Sequence, residues 1–246
     1  MSPSGHVFPP IRSREDLPDD VLVVVAHPDD EVIGIGGLLA FHGRRGDRVS
    51  IVHATDGASG DPGARHADIA ALRQGEVRAA LATLEIGAPD CLGFGDGQLE
   101  RDEARLTAAV GAHFAGRAPR LVYSFHGGEF HADHRALARA CCAASGHLPE
   151  GCRVLLFGVN QVVAFGALYD YSDLVTKKRQ ALACFRSQLA YLDFATKVMH
   201  RDQAATVNVE LPEVTHAELL VEVRAQSWPD HLRRVEDLRS TVLPIS

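Results

Sequence analysis

The sequence predicts an α/β fold: a Rossmann-like, mostly parallel sheet with helices on both faces, in a single domain. Apolar runs of strand length alternate with stretches of helical periodicity along the 246 residues, and this alternation is typical of parallel sheets. The first run, VLVVVA at 21–26, is continuously apolar, as expected of a strand buried on both faces. The predicted domain spans 21–246, in which 200–246 shows no clear pattern, and 1–20 is predicted as an N-terminal extension.

The individual elements follow from short apolar runs and from apolar residues at helical spacing. The segments predicted as strands are, in chain order, 21–26, 49–54, 91–94, 121–125 and 154–159. The segments predicted as helical are, in chain order, 33–44, 64–84, 104–114, 134–144 and 175–199. The turn sequence Thr55-Asp56-Gly57 closes the second strand, and Gly95-Asp96-Gly97 follows the third.

Composition excludes several classes of protein. The formal net charge of -7 argues against a nucleic-acid-binding surface, which normally carries a basic stripe. No apolar run is long enough for a transmembrane helix, and 1–20 lacks the apolar region of a signal peptide, so we expect a cytoplasmic protein. The five cysteines are an odd number without CxxC spacing, which indicates reduced thiols rather than a disulfide framework.

Polar segments follow four of the predicted strands, with the sequences HPDDE, TDGASG, GDG and HGGEFHADH. Ligands bind beyond the carboxyl ends of the strands in such sheets, so these segments are expected at one edge. His27 and Asp30 lie on one tight turn and can reach the same ion, and His134 would be the third ligand. Catalytic zinc usually takes three protein ligands and leaves one position for water. The two histidines and one carboxylate suit zinc, with Fe(II) as an alternative.

These motifs resemble the PIG-L/LmbE-like family of zinc-dependent N-acetylglucosaminyl deacetylases. AHPDDE after an apolar strand and HADH after a later strand carry most of the resemblance. Weaker matches are an R-x-x-E at 73–76, the GDG turn at 95–97 and the helix KRQALACFRSQ at 178–188. The resemblance covers roughly residues 21–188.

The resemblance implies a role for several residues around the three predicted metal ligands. Asp29 would be the general base. His131 would stabilise the oxyanion or act as general acid, with Asp133 orienting it, and Arg73 and Asp96 would contact the sugar. These roles would suit hydrolysis of an amide, in which a water must lose a proton and the leaving nitrogen must gain one.

Two residues depart from the family pattern. Ala132 replaces a proline in the HADH segment, which keeps the ligands but relaxes the φ restriction of the loop. Ala58 stands where the family often has a glutamate after the Thr-x-Gly turn, which puts one sugar contact in doubt.

The predicted function is therefore a zinc-dependent hydrolase that removes an N-acetyl or other N-acyl group from an amino sugar or its conjugate. Its expected partner is a small N-acylated sugar or glycoconjugate, and the oligomeric state stays open, with a homo-oligomer among the alternatives. One alternative function is a zinc amidase acting on another small conjugate, such as a thiol conjugate or an antibiotic intermediate. The other is a metal-binding protein without catalysis.

Overall fold

The fold is built on one eight-stranded sheet, and the structure, a computed structural model, describes residues 9–242. The strands are β1 (Ile11–Arg12), β2 (Asp20–Val25), β3 (Arg48–Thr55), β4 (Asp90–Phe94), β5 (Leu121–Phe125), β6 (Arg153–Phe157), β7 (Ala167–Asp170) and β8 (Ala217–Arg224). Their order across the sheet is β1-β7-β8-β6-β5-β2-β3-β4. Residues 1–8 and 243–246 of the predicted extension and domain lie outside the described residues.

Eight α-helices accompany the sheet in the described part of the chain. They are α1 (Asp30–Arg45), α2 (Ile69–Thr83), α3 (Glu103–Arg117), α4 (Ala132–Ala143), α5 (Val175–Leu182), α6 (Arg186–Leu189), α7 (Phe194–Ala204) and α8 (Trp228–Val242). None of them has the length and apolar composition that a membrane-crossing helix requires.

The mostly parallel sheet predicted from the sequence is confirmed. β2 pairs in parallel with both β3 and β5, and the parallel set extends to β4 on one side and β6 on the other. The chain runs from β2 towards β4, then returns to β5 on the opposite side of β2, so the topology reverses between β2 and β5. Such a reversal opens a crevice at the carboxyl ends of the two strands. β2 is buried along 21–25, in keeping with its apolar sequence.

Four features of the sheet and helices depart from the predicted elements. β8 lies antiparallel between β6 and β7, and β1 adds an edge strand from the predicted N-terminal extension. The predicted helix 175–199 is divided into α5, α6 and α7; the Ser187 N–H in the first turn of α6 donates to the Glu76 carboxylate at 2.8 Å, and the Asp193 side chain caps α7. The predicted helix 64–84 begins only at Ile69, where the Asp68 side chain caps it.

The glycine-rich start of α1 lets the helix pack closely against the sheet. A Cβ at Gly34 would lie 2.2 Å from the Phe157 ring. The helix is interrupted at Ile35 (φ -138°), and the freed N–H groups of Gly37 and Leu38 donate to the Glu218 carboxylate at 2.6 and 2.9 Å. A buried carboxylate at this helix start offsets the positive end of the helix dipole.

Candidate metal centre and active site

The turn after β2 holds three of the predicted site residues in a strained conformation. The Asp30 carboxylate accepts the His27 backbone N–H at 2.8 Å, which closes the turn and starts α1. Asp29 between them has φ 146°, a region that residues other than glycine rarely adopt. Such backbone strain costs about 1–3 kcal/mol and is common at functional sites.

Three side chains meet at the crevice between β2 and β5. His27 Nδ1 lies 3.2 Å from Asp30 Oδ2, and His134 Nε2 lies 3.3 Å from Asp30 Oδ1 and 3.3 Å from His27 Nδ1. Ligands bound tetrahedrally at zinc distances are separated by roughly 3.4 Å. The spacing of these three predicted ligands therefore fits a single zinc-sized ion.

The hydrogen bonds around the two histidines leave lone pairs facing the centre. His27 Nε2 lies 3.0 Å from Asp96 Oδ1 and 3.3 Å from Asp133 Oδ2, and His134 Nδ1 lies 2.9 Å from Glu129 Oε2. A neutral imidazole that donates to a carboxylate through one nitrogen presents a lone pair at the other. Two nitrogen lone pairs and a carboxylate oxygen then converge in a buried space. A cation satisfies that arrangement, and carboxylates behind ligating histidines are the usual partners in such sites.

The charge around the histidines also favours a cation. Burial opposes the charged form of His134, but Asp30 and Glu129 outweigh it and raise the pKa of this imidazole to about 9. Burial likewise opposes the charged form of His27, while hydrogen bonds to Asp133, Asp30 and Asp96 raise its pKa well above the usual range. A divalent ion would supply the positive charge that these carboxylates otherwise draw from protons.

Glu129 belongs to the site but is not among the residues predicted from the sequence. This buried glutamate holds His134 and also accepts the backbone N–H groups of Val159 and Asn160, at 2.7 and 3.2 Å. It thereby joins the loop after β5 to the loop after β6. Its position within HGGEFHADH was the available signal, because a carboxylate is a frequent partner of a ligating histidine.

Asp133 is placed differently from the expectation that it orients His131. Its carboxylate faces His27 and accepts the N–H groups of Gly97 and Leu99 at 2.7 and 3.1 Å. Burial would raise the pKa of Asp133, but these bonds and the one to His27 lower it. The link to His131 runs instead through the Asp133 backbone N–H, which donates to His131 Nδ1 at 3.2 Å because His131 caps α4.

Asp96 and Arg73, the residues expected to contact a sugar, are both bonded to protein groups at the site. Asp96 contacts His27 through Oδ1, and its Oδ2 accepts the Ser59 N–H at 2.8 Å. Arg73 donates to Asp29 Oδ2 at 3.0 Å and to the carbonyl oxygens of Pro28 and Gly57 at 3.1 and 3.0 Å. The Arg73 side chain is only 5% exposed, so most of its contacts are internal.

The loop around Arg73 needs glycine where it passes the guanidinium. A Cβ at Gly57 or Gly60 would lie 2.6 or 2.3 Å from Arg73 Nη1. The Gly60 carbonyl oxygen accepts the Gln188 side-chain amide at 3.0 Å. Since Glu76 fixes the neighbouring Ser187, the R-x-x-E and Ser-Gln sequences serve together to hold this loop over Asp29.

His131 lies beside His27 and His134, on the solvent side of the site. Its ring centroid is 4.8 Å from that of His27 and 4.8 Å from that of His134. Burial and the two neighbouring imidazoles lower its pKa. Since Nδ1 accepts the Asp133 N–H, a neutral His131 carries its proton on Nε2 and can donate it to a ligand in the crevice.

Comparison with known proteins agrees with the motifs. Residues 22–145 match the family described as "PIG-L: GlcNAc-PI de-N-acetylase". The chain is 30% identical over 192 residues to a probable N-acetyl-alpha-D-glucosaminyl L-malate deacetylase 2 of Bacillus anthracis, covering 72% of this chain and 83% of that protein. It is 31% identical over 157 residues to a 1D-myo-inositol 2-acetamido-2-deoxy-alpha-D-glucopyranoside deacetylase of Mycobacterium sp. (strain KMS), covering 52% of this chain and 51% of that protein.

Among solved structures, N,N'-diacetylchitobiose deacetylase from Pyrococcus horikoshii has the same fold, with a TM-score of 0.73 at 19% identity over 85% of both chains. The extent of the sequence matches, together with the motifs that the structure gathers at one crevice, shows that the chain belongs to the PIG-L family of de-N-acetylases.

Proposed function

We propose that this protein is a zinc-dependent deacetylase that hydrolyses the N-acyl bond of an amino sugar or its conjugate. The observation that carries the proposal is the convergence of His27 Nδ1, Asp30 and His134 Nε2 within 3.2–3.3 Å, beside a carboxylate that is not part of that triangle. The related deacetylases of N-acetylglucosamine conjugates support the same reaction class.

The three ligands would hold the ion, which when bound lowers the pKa of a water molecule and polarises a carbonyl oxygen. Asp29 would take the proton of the attacking water. Arg73 engages Asp29 Oδ2, which leaves Oδ1 to accept that proton. The amide C–N bond would break as the nitrogen receives that proton back from Asp29, and the hydroxyl of the water stays on the acyl carbon, so the products are a carboxylic acid and a free amine.

His131 would donate a hydrogen bond from its Nε2–H group to the oxygen that becomes negative during attack. Its lowered pKa favours the neutral form, so it acts here as a hydrogen-bond donor rather than as a permanent charge. A single donor of this kind contributes roughly 2.7–4 kcal/mol to hydrolysis in other enzymes.

Ala58 favours one alternative substrate class, a small conjugate other than a simple N-acetylglucosamine derivative. The residue is exposed on the loop over Asp29, and a methyl group makes no hydrogen bond to a sugar hydroxyl. Zinc-dependent amide hydrolysis of such a conjugate would use the same residues.

The test is release of free amine from a panel of N-acetylglucosamine, its malate and inositol conjugates and non-sugar N-acetyl amines. Each is measured with the purified protein, after chelation, and after addition of zinc or Fe(II). We expect amine release from at least one amino sugar, loss on chelation and recovery with zinc. His134→Ala should lose both metal and activity, whereas His200→Ala, at an exposed position on α7, should lose neither. Activity that survives complete metal removal would refute the proposal.

A further inference from the structure

A buried pair of a glutamate and a histidine lies next to the turn that carries the proposed base. Glu31 follows Asp30 in the first turn of α1, and its Oε2 lies 3.1 Å from His53 Nε2 on β3. Both side chains of the pair are 0% exposed. Within residues 9–242, this is the one hydrogen bond of the Glu31 carboxylate, since its Oε1 has no partner there. The pair therefore ties the start of α1 to β3 through a single contact inside the protein.

The end of β3 holds the same turn at a second point. The hydroxyl and the backbone N–H of Thr55 both donate to the Ala26 carbonyl oxygen at 3.0 Å. Ala26 immediately precedes the turn 27–30, and Glu31 immediately follows it. The contacts of His53 and Thr55, from the last three residues of β3, thus fix both ends of the turn.

The turn between these two points is strained. Asp29 has φ 146°, and the N–H groups of Val32 and Ile33 donate to its carbonyl oxygen at 3.0 and 2.9 Å. Backbone in this conformation is costly for a residue with a side chain, and it persists only where the surrounding structure holds it. Because the first turn of α1 is bonded to the Asp29 carbonyl, a contact that fixes this helical turn also holds the Asp29 backbone.

Folding stability alone gives little reason for the pair. A buried carboxylate and imidazole lose their hydration, and apolar side chains of similar volume in place of such a pair often leave a fold as stable or more stable. The single bond from His53 also leaves the Glu31 carboxylate short of donors, since a carboxylate has about four lone-pair sites. The pair is better explained by what it holds in place than by what it adds to stability.

We propose that Glu31 and His53 are positioning residues: they hold the first turn of α1 against β3 and thereby keep Asp29 and Asp30 in place for catalysis and metal binding. The inference rests on the proposed function, since these aspartates are the proposed base and one proposed ligand. Without His53, the buried Glu31 carboxylate loses its one partner. The start of α1 is then expected to shift towards water and to carry both aspartates with it.

The test compares the wild type with His53→Leu and with the double variant Glu31→Leu/His53→Leu. The measurements are Tm, zinc affinity by chelator competition, and kcat and KM at saturating zinc on the N-acetylated compound that the amine-release panel shows to be hydrolysed fastest. We expect His53→Leu to lose about 10–100-fold in kcat and in zinc affinity, the usual effect of removing a group that supports a metal site. Its Tm should fall, because Glu31 stays buried without a partner.

The double variant distinguishes a positioning role from a merely structural one. It removes both polar groups of the pair, so it should recover the Tm of the wild type while kcat and zinc affinity stay reduced. A merely structural pair would instead return kcat and zinc affinity together with Tm, and that result would overturn the proposal.

Two further variants serve as comparisons. His53→Gln keeps an N–H donor for Glu31 and should recover part of kcat. His42→Leu is the matched control, because His42 is also 0% exposed, lies near the other end of α1 and pairs with Asp47, which keeps its bonds to Arg45. It should lower Tm and leave kcat and zinc affinity as in the wild type. Equal losses of kcat in His42→Leu and His53→Leu would overturn the positioning role.

Two readouts on the metal-free protein separate this inference from the proposed function. If the wild type hydrolyses none of the compounds, the proposed function fails, and zinc affinity and amide hydrogen exchange still test the pair. Faster exchange over 29–33 and weaker zinc binding in His53→Leu and in the double variant, with His42→Leu unchanged in both, would support the positioning role. Unchanged exchange and zinc affinity in the two His53 variants would overturn it, whether or not amine release is found.

Discussion

Replacing Arg73 with methionine removes the guanidinium that holds Asp29 while keeping most of the side-chain volume. Arg73 donates three hydrogen bonds at 3.0–3.1 Å, to the Asp29 carboxylate and to the carbonyl oxygens of Pro28 and Gly57. None of these hydrogen bonds goes to the three predicted metal ligands. We therefore expect Arg73→Met to disturb the proposed base without removing the metal.

The size of the effect follows from the burial of the pair. Removing one partner of a buried ion pair costs about 3–5 kcal/mol, because the remaining charge is left without compensation. If the whole cost falls on the position of Asp29 in the transition state, kcat drops by about 10²–10⁴. If it falls on folding, Tm drops by about 2–4 °C per kcal/mol for a domain of this size.

The assay measures kcat, KM, zinc content and Tm of Arg73→Met beside those of Arg73→Lys and Arg78→Met. Arg73→Lys keeps the charge and should recover part of kcat. Arg78 lies exposed on the same helix and should behave as the wild type. A raised KM with unchanged kcat would refute the positioning role, since it would mean that Arg73 contributes only to substrate binding, as the family resemblance implies.

Three further predictions test neighbouring parts of the account. Asp29→Asn should keep its zinc and lose about 10²–10⁴ in kcat; loss of zinc in parallel with activity would make Asp29 a ligand. Glu129→Gln should weaken zinc binding about 10–100-fold in a chelator competition, and unchanged affinity would contradict its role behind His134. Asp173 tests pH dependence: hydrogen bonds from Arg14 and Arg44 lower its pKa to about 2. The ionised Asp173 carboxylate stabilises the fold fully above about pH 4, which is its pKa in the unfolded chain, and this stabilisation is lost as the pH falls towards 2. The Tm difference between the wild type and Asp173→Asn should therefore shrink over that range, and parallel Tm curves would contradict the assignment.

The central sheet could be predicted because its strands are continuous apolar runs. β2 and β5 are buried along nearly their whole length, and such runs have few alternatives to a strand inside a parallel sheet. β7 and β8 carried no comparable signal. β7 has four residues, and β8 has glutamates at 218 and 222, whose side chains bond to Lys178 and Arg153 in the folded chain.

The motif residues of the site were also predictable, but their partners were not. His27, Asp30 and His134 lie close together because the connections after β2 and β5 leave the same edge of the sheet, which chain order and strand type indicate in advance. Asp96 and Asp133 face Nε2 of His27 and not Nδ1. Which nitrogen they face depends on how the loops after β4 and β5 pack, and neither loop has a sequence pattern that predicts this packing. Two further contacts could not be predicted from the sequence. Glu31 and His53 form a buried pair 3.1 Å apart, and the Arg73 guanidinium contacts Asp29 inside the protein.

The most direct test of the account is the position of the metal, measured by anomalous diffraction at the zinc edge on crystals of the wild type grown with zinc. His27 has two faces: Nδ1 points to Asp30 and His134, and Nε2 points to Asp96 and Asp133. We expect one peak on the Nδ1 side, about 2.0–2.2 Å from His27, Asp30 and His134. A peak on the Nε2 side, between Asp96 and Asp133, would contradict it.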